Sequence, residues 1–104
     1  MSETTDPTLF TFLGEAQEIL QRLEDELDNL ESTDQPADTV AALFRDAHTL
    51  KGSAFVAGLR PIGELAHVLE ELFTRWRDQR LQPLPPQLLW SRQALESFAS
   101  LCDL

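Results

Sequence analysis

Cysteine, glycine, lysine and histidine are all scarce in this 104-residue chain, and the first two scarcities each narrow its function. The one cysteine, Cys102, cannot form an internal disulfide, so a reducing, cytoplasmic setting fits. Four glycines leave little material for a phosphate-cradling loop, and neither GxxxxGK[ST] nor GxGxxG occurs. No apolar run approaches the roughly 20 residues of a membrane span, and the N-terminus lacks the basic-then-apolar order of a signal peptide. Bases are few: 8 Lys and Arg stand against 18 Asp and Glu, a formal net charge of -10. That balance argues against nucleic acid, which is bound by neutralising phosphates, and against an anionic membrane surface.

What is present is an ordinary folding composition, 42% hydrophobic and 25% charged, at a length that supports one domain and one core over residues 1–104. The charge is uneven. Residues 1–39 hold 11 acids and a single base, Arg22, whereas residues 40–104 hold seven of each and are neutral by count. The sole lysine is Lys51 and the only histidines are His48 and His67.

Apolar residues recur at helical spacing four times. Leu9, Leu13, Ala16, Leu20, Leu23, Leu27 and Leu30 form the first seam, widened by Phe12 and Ile19. Asp6 before Pro7 reads as an N-cap followed by proline at the first helical position. Glu24 to Glu26 and Asp28 lie mostly off the seam and read as a solvated acidic face. The second seam is Val40, Leu43, Phe44, Ala47, Leu50 and Ala54, opened by Pro36 and stopped near Gly58. The third is Ile62, Leu65, Ala66, Leu69, Leu72, Phe73 and Trp76. A break over 79–86, rich in proline, precedes the last: Leu88, Leu95, Phe98, Ala99 and Cys102. The expected helices span about 7–31, 36–57, 61–79 and 85–103, with no period-two strand pattern. Short connections make successive helices antiparallel, so the fold class is all-α, an up-down four-helix bundle.

On the second helix His48 falls roughly 100° from the seam centre, at the rim between core and solvent, and Lys51 and Gly52 share its neighbourhood. On the third, Glu70 lies at a matching angle, one turn after His67. Side-by-side packing would let His48 and Glu70 meet. Gly52 costs about 1 kcal/mol against alanine in a helix interior, and it leaves open surface beside the imidazole.

The run Ala47-His48-Thr49-Leu50-Lys51-Gly52-Ser53-Ala54 resembles the phosphorylation motif of histidine phosphotransfer (HPt) domains, with Leu43-Phe44-Arg45-Asp46 before it and Gly58-Leu59 after it. Leu65-Ala66-His67-Val68-Leu69-Glu70 is similar to the third helix of the N-terminal phosphotransfer domain of CheA-type chemotaxis kinases. The resemblance covers essentially the whole chain. It implies that His48 is the phosphorylated residue, with Lys51, His67 and Glu70 as the polar network around it. Apart from the resemblance, Gly52 would leave space for an incoming partner and Val56 lies well off its seam near His48, so these two, with Arg45, are the candidate receiver-docking residues. The polar lead and the end at Leu104 suggest the N-terminal part of a longer CheA-like or hybrid kinase.

The chemistry needs these residue types. A neutral imidazole has one bare nitrogen and one N–H, and its partner decides which is which. A Glu70 carboxylate accepting from Nδ1–H would leave Nε2 to attack and would stabilise the charge that develops on the ring. Lys51 would offset charge on phosphoryl oxygens. The chain has no ATP site and no cofactor of its own, so a kinase catalytic domain and a receiver domain are the expected partners, and they supply ATP and Mg²⁺. The isolated domain is expected to be a monomeric phosphocarrier. The competing readings are an HPt-like interaction bundle that carries no phosphate, a metal site at His48, His67 and Glu70, and a coiled-coil dimer along the first seam. The charge asymmetry adds one expectation. A receiver's active site is acidic, so the first helix should face away from the docking site.

Overall fold

In this computed structural model residues 7–79 and 85–102 are described. Four helices make up their regular structure: α1 (Pro7–Leu30), α2 (Pro36–Val56), α3 (Arg60–Gln79) and α4 (Pro85–Cys102). Asp6, Pro83, Leu104 and the side chain of Cys102 lie outside the described residues. Proline opens α1, α2 and α4, where its missing N–H has no intrahelical acceptor to lose. The α2–α3 corner is closed by chain geometry. Gly58 sits at φ 79°, its N–H donates to the Phe55 carbonyl (3.0 Å), and Leu59 N–H reaches back to Ala54 (2.9 Å). This is the Schellman arrangement, and it needs a residue that tolerates the left-handed region.

Side-chain contacts give the register of the bundle. Asn29 Nδ2 donates to Thr39 Oγ1 (3.0 Å) and Arg22 Nη2 pairs with Asp46 (3.2 Å), so α1 and α2 run antiparallel. Lys51 opposes Glu70, and the Phe55 ring lies over Gly63, which orders α2 against α3 in the same way. Trp76 Nε1 donates to Gln87 Oε1 (3.1 Å) across α3 and α4, and Arg92 returns α4 to Asp28 of α1 (2.8 Å). Each helix therefore touches the next and the last touches the first, which is the up-down four-helix bundle, 52 Å long and 20 Å wide.

The core is one contiguous cluster. Its largest fully buried side chains are Phe73, Trp76 and Phe98, with Leu23, Leu27, Leu43, Leu50, Leu69 and Leu95 buried among them. Two details depart from the sequence reading. In α1 the seam residues Ala16, Leu20, Leu23, Leu27 and Leu30 are buried with Phe12 and Ile19, but Leu9 and Leu13 at its start are only half-buried. In α4, Ser91 occupies a fully buried position that an apolar seam skips; its hydroxyl donates to the Gln87 carbonyl (2.9 Å), which satisfies it inside the helix. Among the described residues no helix is long and apolar enough to cross a membrane.

Candidate functional site

α2 and α3 pack so that their rims meet at one carboxylate. Glu70 is buried within α3, and its Oε2 accepts from His48 Nδ1 while its Oε1 accepts from Lys51 Nζ (2.8 Å). The two donors come from successive turns of α2, so one acid on α3 spans both. Burial alone would push the Glu70 carboxyl up. The hydrogen bonds from Lys51 and His48, and their charge, outweigh it and hold the group below the usual carboxylate range. Glu70 is thus an anion at neutral pH, and an anion on Nδ1 requires the proton to be on that nitrogen when the ring is neutral. Nε2 is then the nitrogen with the free lone pair.

The imidazole itself is open, with 61% of its side-chain surface exposed. It lies on a groove of about 650 Å³ between α1 and α2, lined by Thr11, Phe12 and Glu15 from α1 and by Thr49, Gly52 and Val56 from α2. A Cβ on Gly52 would meet nothing within 4 Å, so this glycine serves no close helix packing within the chain. It keeps the wall of the groove low beside His48. Val56 is 81% exposed at the groove's end, an apolar side chain with no intramolecular use for its position.

The residues singled out from the sequence separate into two groups. His48, Lys51 and Glu70 form one hydrogen-bonded unit, and Gly52 and Val56 share the groove with His48. The Lys51 Nζ is engaged on Glu70, within the polar network around His48. His67 is exposed, one turn before Glu70, and has no hydrogen bond or ion pair among the described residues. Arg45 is exposed and does not line the groove; its carbonyl accepts from Thr49 Oγ1 (3.0 Å). Among the described residues no three His, Cys, Asp or Glu side chains come together in a metal-holding cluster.

α1 does not turn wholly away from His48. Its first half forms one wall of the His48 groove. The charge is graded along the helix instead: residues 7–19 carry only Glu15 and Glu18, and seven acids fall between Glu24 and Asp38. At 1.5 Å per residue the stretch from Glu15 to Asp28 places that charge about 20 Å down the bundle. Part of it is neutralised there, since Arg92 pairs with both Asp28 and Glu31.

A surface histidine bonded to a buried carboxylate on an up-down bundle defines a class: four-helix bundles that expose a carboxylate-oriented imidazole. The chain belongs to the Hpt domain family, whose model matches residues 8–101. It is 34% identical over 73 residues to "Chemotaxis protein CheA" of Borreliella burgdorferi, 36% over 77 residues to that of Listeria monocytogenes and 39% over 72 residues to that of Rhizobium meliloti. These matches take in 70%, 74% and 69% of this chain but only 8%, 12% and 10% of the relatives, so the chain spans about a tenth of their length. No solved structure gives a significant match.

Proposed function

We propose that this histidine phosphotransfer module accepts a phosphoryl group on Nε2 of His48 and yields it to an aspartate of a receiver domain. One observation carries the assignment: the Glu70 carboxylate is bonded to Nδ1 of an imidazole whose remaining surface is open. In the accepting step the Nε2 lone pair attacks the γ-phosphorus of ATP held by a kinase catalytic domain. The N–P bond forms as the P–O bond to ADP breaks, and Nδ1–H stays on Glu70. The ring becomes cationic, and the buried anion stabilises it. In the donating step a receiver carboxylate attacks the phosphorus, N–P breaks, and the imidazole returns to its neutral form. Phosphoryl transfer of this kind is mainly positioning and electrostatics, which suits a site with so little machinery.

The relatives named above support a place in a chemotaxis-type signalling system, with a kinase domain and a response-regulator receiver as partners. Mg²⁺ and the acidic receiver pocket come from those partners. The setting that fits is the cytoplasm. The test is to incubate the chain with a matching kinase domain and labelled ATP, beside His48→Gln. Acid-labile label on the wild type alone is the expected result. Equal labelling of both proteins would remove His48 as the acceptor.

A further inference from the structure

The Glu70 bond fixes one atom of the imidazole, and a ring held at one atom can still swing about it. A second contact acts on its face. Phe44, one turn before His48 on α2, stacks on the imidazole with ring centroids 6.0 Å apart and planes 18° from parallel. Phe44 is only half-buried, against the core, so core packing alone does not determine its ring. Arg77 contacts it as well: its guanidinium carbon lies 4.2 Å from the centre of the Phe44 ring. Arg77 stands two turns beyond Glu70 on α3, and its Nε is oriented by Asp78 (2.8 Å). The antiparallel register of α2 and α3 thus sets Glu70 against His48 and Arg77 against Phe44. The same two helices hold the imidazole by its edge and by its face.

We infer that Phe44 and Arg77 are positioning residues for His48, with Phe44 restricting rotation of the imidazole and Arg77 clamping Phe44 from the solvent side. The inference rests on His48 being the phosphoacceptor only in its kinetic consequence; the ring geometry stands without it. Stacked aromatic rings and cation–π pairs prefer defined planes, so the pair narrows the imidazole to orientations in which Nδ1 stays on Glu70. A freely turning ring would spend part of its time off the carboxylate, with the attacking nitrogen protonated.

The experiment compares Phe44→Leu, Phe44→Tyr, Arg77→Gln and Arg77→Lys. The first readout is the ¹⁵N spectrum of the His48 ring, which reports tautomer directly and needs no phosphorylation. Phe44→Leu keeps apolar volume and loses the flat face; it is expected to move the His48 nitrogens toward a mixture of tautomers, and Phe44→Tyr to restore them. Arg77→Gln should shift them less in the same direction, with Arg77→Lys recovering part of the effect. The second readout is the rate of phosphoryl acceptance, expected to fall about 3- to 10-fold in Phe44→Leu with KM for the kinase domain unchanged. A Phe44→Leu protein with wild-type ring signals would reduce Phe44 to core filler and overturn the inference. If that variant does not fold, the surface change Arg77→Gln decides in the same way. A wild type that takes no label fails the proposed function alone, because the ring spectra still settle the positioning.

Discussion

Glu70 holds His48 and Lys51 of α2 on its two carboxylate oxygens at once, Nδ1 on Oε2 and Nζ on Oε1. Replacing it with glutamine keeps the shape and removes the charge. Glu70→Gln is expected to slow phosphoryl acceptance about 10- to 100-fold with the helical spectrum intact, in line with the loss of an orienting acid. The pH dependence follows from the lowered carboxyl. A group depressed in the folded state contributes stability above its unfolded value, 4.5, and loses it as pH falls through the folded value. The difference in Tm between wild type and Glu70→Gln should hold from neutrality down to the ordinary carboxylate range and close below it. A difference that ignores pH would mean the charge of Glu70 is not what the bridge uses.

Lys51 can assist in two ways, and its geometry favours one. With Nζ on Glu70, its effect on His48 passes through the carboxylate, whereas a lysine that met phosphoryl oxygens would act on its own. A double-mutant cycle separates the two. Lys51→Ala alone is expected to slow acceptance, by less than Glu70→Gln. Added to Glu70→Gln, it should cost no further rate. Fully additive losses would show that Lys51 acts on the phosphoryl group directly.

Much of this site is legible in the spacing of the chain. The spacing of His48, Lys51 and Gly52 on one helix and of Glu70 on the next follows from 3.6 residues per turn, and a short α2–α3 corner brings the two rims together. What stayed hidden needs the packing of one helix on another. Arg77 over Phe44 joins residues 33 apart, and nothing in the spacing of either helix announces it. What α1 brings to the groove is hidden for another reason: a charge count over the whole segment does not resolve how the acids are distributed along the helix. The burial of Glu26 is hidden for a related reason. Position alone put it on a solvated acidic face, but it is tucked against Asp46 of α2 with Oε1 buried and without a hydrogen-bond partner.

Glu26 makes the stability of the bundle sensitive to alkali. Burial first, then the neighbouring Asp46 carboxylate, pushes its carboxyl up to about 8, against the opposing charges of Arg22 and Arg45. The folded chain therefore keeps a proton that the unfolded chain releases near 4.5. For a raised group the contribution is fully present below the unfolded value and is lost as pH rises through the folded one. Thermal stability is expected to decline from about pH 5 to about pH 9 in the wild type and to decline less in Glu26→Gln, which stays neutral throughout. The variant should be the more stable protein at the alkaline end. Parallel curves for the two proteins would show that Glu26 is ionised in both states.

Gly52 and Gly63 both sit within helices, yet they should respond oppositely to alanine. A Cβ at Gly52 meets nothing within 4 Å, so Gly52→Ala is expected to gain about 1 kcal/mol from helix propensity, a rise of several degrees in Tm. At Gly63 a Cβ would stand 2.9 Å from the Phe55 ring, which must leave its place on α3, so Gly63→Ala should gain little or lose stability. The function should move the other way. The methyl group added at residue 52 stands in the groove beside His48, where a partner would approach, and it should raise KM for the kinase or receiver while stability increases. A glycine retained at a cost in stability is then explained by the partner it admits. Thermal melts with transfer kinetics check this: a stabilised Gly52→Ala with unchanged KM would mean that partners reach His48 by some route other than this groove.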